Sequence, residues 1–161
     1  MKAFNNLFFP VLICSLFFCG CNRKNIAFLE YHHIPDQNWN DNHTLNFSPI
    51  INDANSPYNL WIELRHNNDY PYQNIWFFVS ILQKDSVLKT DTLQYMLADD
   101  FGKWQGRGYN TFYQQSLIYK NLYQFSDTGK FDIRVQHAMR DSRLKGVEDV
   151  GIRIETVNSE Q

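Results

Sequence analysis

The chain has 161 residues, which is enough for one domain and too few for two ordinary ones. Hydrophobic residues make up 43% of it and aromatic residues 16%, so it can bury a core and is not globally disordered. Its 15 Lys and Arg residues nearly balance its 17 Asp and Glu residues. Because binding nucleic acid through phosphates needs a concentrated basic surface, this balance argues against a nucleic-acid partner.

The first segment of the chain has the pattern of an export signal. Lys2 supplies a positive charge, and an uninterrupted run of small and apolar residues follows over residues 7–18. As a helix this run would be about 18 Å long, well short of the ~30 Å hydrocarbon core of a bilayer. The segment therefore fits a cleaved signal better than a permanent transmembrane helix.

The end of this segment resembles a bacterial lipobox. Gly20 and Cys21 fit the pattern, while Phe18 and Cys19 stand where Leu and a small residue are usual. We predict a lipoprotein signal peptide over residues 1–20, a lipidated Cys21 that holds the protein on the lipid bilayer, a tether over residues 21–27 and one domain over residues 28–157. The alternative is an ordinary secretory signal in which the cysteines are incidental. All three cysteines lie in this segment, so the body of the chain has no disulfide or thiolate metal site.

From about residue 28 onward the hydrophobic pattern has a period of two. Apolar and polar residues alternate in several short segments, as in antiparallel strands with one buried face. Turn-forming residues separate these segments. The pattern predicts an all-β fold, an antiparallel β-sandwich with jelly-roll-like connections, and a barrel is the second choice. The clearest alternating sets are Leu45 and Phe47; Leu60, Ile62 and Leu64; Phe131, Ile133 and Val135; and Val150, Ile152 and Ile154.

Three segments are less regular. Residues 75–82 are almost continuously apolar, which predicts a central strand covered on both faces. Residues 115–125 fit either a strand or a helical stripe. Residues 99–111 contain three glycines and form the longest connection, which we interpret as an ordered functional loop.

The sequence offers no catalytic, metal or cofactor site. His32 and His33 are adjacent, so on a strand they would point to opposite faces, and no further ligands follow at a recognised spacing. Asp99 and Asp100 are neighbours at the start of a loop, where aspartates more often cap turns than act as an acid–base pair. No nucleophile or metalloprotease motif is present in the sequence. We expect structural roles for His43, His66 and His137.

Two features suggest recognition surfaces. The tryptophans, together with many tyrosines, could form a platform on which sugars stack, although core packing is the more common role of such residues. Arginines lie beside turns next to the sequence Tyr70-Pro71-Tyr72, and Arg and Tyr are favoured at protein interfaces. The tryptophans are Trp39, Trp61, Trp76 and Trp104, and the arginines are Arg65, Arg140 and Arg143.

Three blocks of the sequence, taken together, resemble the gliding-motility lipoprotein H family, GldH. The first runs from Leu64 to Trp76, the second from Leu97 to Gly106, and the third comprises His137 to Arg140 and Leu144 to Glu155. They follow one another in the order of the family, and Cys21 lies where the lipidated cysteine of the family is expected.

The resemblance implies a membrane-anchored periplasmic lipoprotein that is needed for gliding and is associated with type IX secretion. It implies no enzymatic activity and transfers no catalytic residue. We therefore expect a non-enzymatic component of the motility and secretion machinery whose partners are other proteins of that machinery. We expect the partner surface at the Trp104 loop and the Tyr70-Pro71-Tyr72 turn, with Arg65 and Arg140 beside them.

The alternative hypothesis is a carbohydrate-binding β-sandwich lipoprotein, with a glycan as the partner. A smaller point concerns the triplets Asp85-Ser86-Val87 and Asp91-Thr92-Leu93. They resemble the triplets used for periplasmic O-glycosylation in bacteria that carry this family, so Ser86 and Thr92 are candidate modification sites.

Overall fold

The computed structural model describes residues 25–157, in which almost all regular structure is strand. One short 3-10 turn at Pro35–Gln37 interrupts the series. The predicted signal peptide and Cys21 lie outside the described residues. The strands are β1 (Ile26–His33), β2 (Asn38–Asn40), β3 (Leu45–Phe47), β4 (Ile50–Ile51), β5 (Tyr58–Asn67), β6 (Asn74–Gln83), β7 (Ser86–Met96), β8 (Arg107–Tyr109), β9 (Phe112–Tyr123), β10 (Gly129–Lys130), β11 (Asp132–His137), β12 (Arg143–Lys145) and β13 (Val147–Thr156).

The strands form two main antiparallel sheets. The first has five strands in the order β1-β13-β5-β9-β8, and the second has four in the order β3-β11-β6-β7. Two small pairs, β2 with β12 and β4 with β10, extend the ends. The predicted β-sandwich is confirmed, and the strands form separate sheets instead of one closed barrel.

The core lies between the two sheets because each strand turns its apolar set inward. Inward-facing side chains of both sheets belong to one cluster of buried residues. Burying a Leu, Ile or Phe side chain contributes roughly 1.5–3 kcal/mol each, so this shared interior holds the layers together. The fully buried members include Leu60, Ile62, Leu64, Ile152 and Ile154 of the first sheet, and Phe47, Phe77, Val79, Ile81 and Ile133 of the second.

Polar contacts join the two sheets along one side. The Tyr119 hydroxyl of β9 donates to Asp91 of β7 at 3.0 Å, and Lys120 forms an ion pair with the same carboxylate at 2.8 Å. Burial alone would raise the pKa of Asp91, but the hydrogen bonds from Lys120 and Tyr119 outweigh it and hold that pKa below its usual value. The carboxylate thus stays charged and ties β7 to β9.

The strand prediction for residues 75–82 was right, but the prediction that both faces are covered is wrong. β6 is central in its sheet, and its inward residues Ile75 and Phe77 are fully buried. On the outer face Trp76 is 36% exposed and Phe78 is 44% exposed, because no further layer of the described residues packs there. The ambiguous segment 115–125 is largely strand, within β9.

The long connection is shorter than its sequence indicates. Arg107–Tyr109 forms β8, which pairs with β9, so the irregular part ends at residue 106. Within it an isolated bridge joins Ala98 to Trp104. The segment is therefore ordered, as expected.

The antiparallel registers give the sandwich two distinct ends. The tether end contains Asn25 together with the turns at residues 52–57, 84–85 and 124–128, and the loop end contains the turns at residues 34–44, 68–73, 97–106 and 138–142 with Gly146. β5 runs from one end to the other over 10 residues, a distance of about 30 Å. Within residues 25–157 the structure has no helix with the length and apolar character needed to span a membrane.

Neighbouring phenylalanines of β6 allow a matched test of this burial. Phe77 is 0% exposed, and Phe78 is 44% exposed. We expect Phe77→Ala to lower the free energy of unfolding by about 3–5 kcal/mol, since it removes a ring and leaves a cavity. Phe78→Ala should cost less than about 1 kcal/mol. Urea denaturation followed by circular dichroism measures both, and equal losses would contradict the one-sided burial of β6.

Candidate interaction surface at the loop end

The connection 97–106 is a rigid loop. The Asp99 carboxylate accepts hydrogen bonds from the backbone N–H groups of Phe101 at 3.0 Å and Lys103 at 2.9 Å. Gly102 adopts a positive φ of 80°, which favours glycine and lets the chain reverse direction. Asp99 is thus a turn residue, as its sequence position suggested. At the tip of this ordered loop the Phe101 side chain is 96% exposed.

A buried glutamine fixes the base of the loop. Gln115 of β9 donates from Nε2 to the carbonyls of Leu97 at 2.8 Å and Gln105 at 2.7 Å. Its side chain therefore bridges the start and the end of the loop. Sequence analysis did not single out this residue, because a lone polar residue in a strand gives no indication of which carbonyls it meets.

Aromatic side chains pack beneath the loop. The ring of Trp104 lies 4.6 Å from that of His66 and 6.3 Å from that of Tyr70, measured between centroids. Tyr113 of β9 completes the cluster, 5.5 Å from His66. Trp104 also donates from Nε1 to the Asn68 side chain at 3.2 Å, which links the loop to the β5–β6 turn.

Tyr70 supports this surface from below. Only 3% of Tyr70 is exposed, and its hydroxyl donates to the carbonyl of Asn74 at 2.8 Å. Burial raises the pKa of this hydroxyl, so it stays protonated and remains a donor. A partner would therefore meet the surface shaped by Tyr70 and not its ring, which differs from the expectation that Tyr70 itself forms the contact.

The third sequence block, residues 137–140 and 144–155, contributes to the loop end through Gly146. The backbone N–H of Asn67 donates to the Gly146 carbonyl at 2.9 Å, and the Asn67 side chain donates to Gln37 at 2.6 Å. Gly146 has a φ of 78°, and a Cβ there would collide with the backbone of Tyr70. Only glycine allows β12 and β13 to approach the β5–β6 turn this closely.

Arg140 lies beside a small groove of about 420 Å³ at the same end. Met139 and Trp76 both line it, and the backbone N–H of Trp76 contacts the Met139 sulfur at 3.3 Å. Tyr72 adjoins this groove and donates to the Asp141 carboxylate at 2.7 Å. The rings of Tyr70 and Tyr72 are 6.2 Å apart and connect this groove to the Trp104 loop. The exposed Arg140 and the mostly covered Trp104 are thus parts of one continuous end of the molecule.

Arg65 lies elsewhere, on the outer face of the five-stranded sheet. Its guanidinium pairs with Asp149 at 3.2 Å and lies 4.5 Å above the ring of Tyr31. Its Nε donates to Gln114 of β9 at 3.2 Å. These contacts span four adjacent strands, so Arg65 stabilises the sheet face and is not grouped with Trp104 and Arg140.

The same outer face holds a buried carboxylate that sequence analysis missed. Glu63 is only 1% exposed, and it accepts hydrogen bonds from Arg153 at 2.7 Å and Ser116 at 2.8 Å. Arg153 also pairs with Glu155 and stacks 4.9 Å from the ring of Trp61. The one indication in the sequence that side chains crowd this face is Gly151, a glycine within the alternating strand β13. Because this residue has no Cβ, the Tyr31 ring can lie close to it across the sheet.

A groove of about 680 Å³ lies over this network. Two of its charged groups, Glu63 and Arg153, already form an ion pair with each other. Among residues 25–157 no group of three or more His, Cys, Asp or Glu side chains could hold a metal ion. The lining residues include Tyr31, Glu63, Gln105, Arg107, Gln114 and Arg153.

The tryptophans do not form one sugar-stacking platform, and the structure shows the alternative, packing in the core and on the sheet faces. Trp39 is fully buried against His137. Trp61 and Trp76 lie on the outer faces of opposite sheets, and Trp104 packs at the loop end. The glycan hypothesis therefore loses its stacking platform and keeps only the sandwich fold as support. The two candidate glycosylation residues, Ser86 and Thr92, are both exposed on β7.

Fold and surface together define a class of protein: a two-sheet domain whose described residues place an ordered aromatic loop surface at one end and Asn25 at the other. Comparison with known sequences places it further. The model of the family described as GldH lipoprotein matches residues 27–154. The chain belongs to the GldH lipoprotein family, and with it to the membrane-anchored lipoproteins of the cell envelope in gliding motility systems.

Two relatives agree with this assignment. The protein named gliding motility lipoprotein GldH from Flavobacterium johnsoniae is 31% identical over 152 residues, which cover 90% of this chain and 93% of the relative. A GldH homolog from Christiangramia forsetii is 31% identical over 154 residues, covering 91% and 93%.

Similarities to solved structures are much weaker. Latent dimeric PorU from Porphyromonas gingivalis aligns with a TM-score of 0.31 and 6% identity over 80% of this chain and 12% of its own. The infectious bursal disease virus structure aligns with a TM-score of 0.32 and 11% identity over 84% and 30%. At these scores neither supports an argument about this chain.

The buried His66 gives a prediction about pH. Desolvation holds the pKa of His66 below its ordinary value of 6.5, despite a hydrogen bond to the Asn67 carbonyl that favours the charged form. Unfolding therefore takes up a proton between the folded and unfolded pKa values. The stability contributed by the neutral ring is complete above about pH 6.5 and declines as the pH falls below it.

We expect His66→Phe to lose less unfolding free energy than the parent when the pH is lowered from about 7.5 to about 5. Urea denaturation at both pH values measures this difference. His137, whose pKa is also lowered by burial, is present in both proteins and contributes the same dependence to each. Equal losses in parent and variant would show that His66 is not a buried neutral ring.

Proposed function

We propose that this protein is a lipid-anchored, periplasm-facing, non-enzymatic component of the gliding and type IX secretion machinery, and that it binds other proteins of that machinery through its loop end. The observation that supports this most directly is a convergence. The three sequence blocks that carry the family resemblance, far apart along the chain, all contribute to the loop end.

The contacts between these blocks are specific. The Trp104 side chain binds Asn68, which joins the second block to the first. The Asn67 N–H binds the Gly146 carbonyl, which joins the first block to the third. Leu97 and Ala98 both donate to the Gln73 carbonyl, at 2.7 Å and 3.2 Å. Such a set of bonds gives the loop end one fixed shape.

A fixed surface with an exposed aromatic side chain suits protein recognition. Phe101 is 96% exposed on a loop whose backbone is held by Asp99, so little conformational entropy is lost when it is covered. Arg140 is exposed beside Trp76 and Met139, and Arg and aromatic residues often dominate binding energy at interfaces. We therefore infer that Phe101 and Arg140 make the principal contacts and that Trp104 and Tyr70 hold the surface in shape.

The position of the anchor agrees with this arrangement. Asn25 is at the tether end, four residues after Cys21, and β5 separates the two ends by about 30 Å. With Cys21 acylated, the loop end is presented away from the membrane, where envelope proteins can reach it.

The test is colony spreading of a deletion strain complemented with variants. We expect Phe101→Ala and Arg140→Glu to reduce spreading strongly while their thermal stability and abundance stay unchanged, since both side chains are exposed. The matched controls are Phe78→Ala and Arg134→Glu, exposed residues on the outer face of the four-stranded sheet.

Controls that spread normally beside defective loop-end variants would support the proposal. Full spreading and adhesin secretion by stable Phe101→Ala and Arg140→Glu proteins would contradict it, as would normal behaviour of the deletion strain itself.

A further inference from the structure

The tether end carries several exposed aliphatic side chains. They come from both sheets and lie at strand ends or beside turns, where polar residues are usual. Single exposed hydrophobic residues are common, but a group at one end of a small domain suggests a contact surface. Its members are Ile26 (48% exposed), Ile50 (63%), Val87 (59%), Leu88 (46%) and Leu122 (58%).

The backbone at Leu122 strengthens this view. Leu122 has a φ of 51°, in the left-handed region that favours glycine or asparagine. Its N–H donates to the Asn59 side chain at 3.0 Å, at an irregularity in the pairing of β5 with β9. A strained backbone therefore displays a large aliphatic side chain to solvent, where it contributes little to the core.

The start of the described chain lies at this same end. The Thr156 N–H donates to the Asn25 carbonyl at 2.9 Å, so Asn25 is fixed against the end of β13. Only three residues lie between Cys21 and Asn25, and the four Cα–Cα steps allow a reach of at most about 14 Å. The inference rests on the proposed function, because it takes Cys21 to be acylated; the tether end is then within this short distance of the bilayer surface.

Some charges at this end are paired within the protein, while Asp53, Lys84, Asp85 and Asp127 of its turns are exposed. Lys89 and Lys120 both pair with Asp91, and Lys130 pairs with Asp132. Aliphatic side chains interspersed with charged ones suit the boundary between headgroups and acyl chains, where apolar groups enter the bilayer and charges stay in water.

We propose that the tether end docks directly on the phospholipid bilayer, with the exposed aliphatic side chains of Ile26, Ile50, Val87, Leu88 and Leu122 entering the interfacial region. The acyl chains then do more than tether the domain: together with this end they hold it upright, with the loop end pointing away from the membrane. The occupant of this surface is the bilayer, because the short chain between an acylated Cys21 and Asn25 keeps this end within reach of the membrane.

The experiment uses the mature lipoprotein in phosphatidylethanolamine/phosphatidylglycerol vesicles. Leu122→Cys, Val87→Cys and, as matched control at the loop end, Phe101→Cys are each labelled with an environment-sensitive fluorophore. No other free thiol remains, because Cys14 and Cys19 lie in the predicted signal peptide and Cys21 carries lipid. Vesicles with and without a nitroxide-labelled lipid report how close each probe lies to the acyl chains.

We expect the probes at residues 122 and 87 to show blue-shifted emission and about twofold or stronger quenching by the nitroxide lipid, since docked side chains would lie 5–10 Å into the interface. The probe at residue 101 should show neither. Two positions are used so that one poorly folded variant does not decide the result.

Other outcomes are distinguishable. Acylated protein that floats with the vesicles but gives equal, water-like probes at all three positions would overturn the docking and leave the anchor intact. A blue shift without nitroxide quenching would also overturn it, since a second copy or another protein would then cover this end. If the N-terminal peptide of the mature protein is found to carry no acyl chains, both the anchor and the docking are overturned.

Discussion

The shared burial of one face from each sheet is the constraint on which the rest of this structure depends. Inward side chains of β5 and β13 meet those of β6 and β11, and the strands of each sheet remain antiparallel. In such an arrangement every second turn lies at the same end. The loop end and the tether end are therefore consequences of core formation, and the separation of Asn25 from the Trp104 loop follows from the length of the strands.

The outer face of the five-stranded sheet shows how the protein handles charge that it cannot leave exposed. Glu63 is almost fully buried, which is costly unless its oxygens are paired. Arg153 and Ser116 supply those partners, and Arg65 makes a second pair with Asp149 in the neighbouring row. These pairs run across strands, so they fix the register of the sheet on which the loop end is built.

Much of the fold could be predicted from the sequence, and the limits have physical causes. Alternation at Leu60, Ile62 and Leu64 identifies an inward face without knowledge of its partner. The hydrophobic pattern could not show that Phe78 is exposed. Residues 75–82 are apolar on both faces of the strand, so the local sequence does not indicate which face is buried. β8 was missed because a three-residue segment that follows Gly106 and contains Gly108 resembles a loop until β9 is beside it.

The candidate site was predictable only in part. Trp104 and the Tyr70 turn do lie together at one end, but the burial of Tyr70 and the position of Arg65 on another face depend on pairings between distant strands. Phe101 was not singled out, since exposure of an aromatic residue cannot be read from its neighbours in sequence. The convergence of the three blocks likewise arises from long-range register, through contacts such as that of Asn67 with Gly146.

Site-specific photocrosslinking in living cells tests most directly whether the loop end is the contact surface. A photoreactive phenylalanine analogue replaces Phe101 in one strain and Phe78 in another, so that each probe occupies an exposed aromatic position of the same anchored protein. The account predicts discrete crosslinks to envelope proteins from position 101 and none from position 78. Crosslinks from position 78 alone, or none from position 101 in a motile strain with normal protein levels, would contradict it.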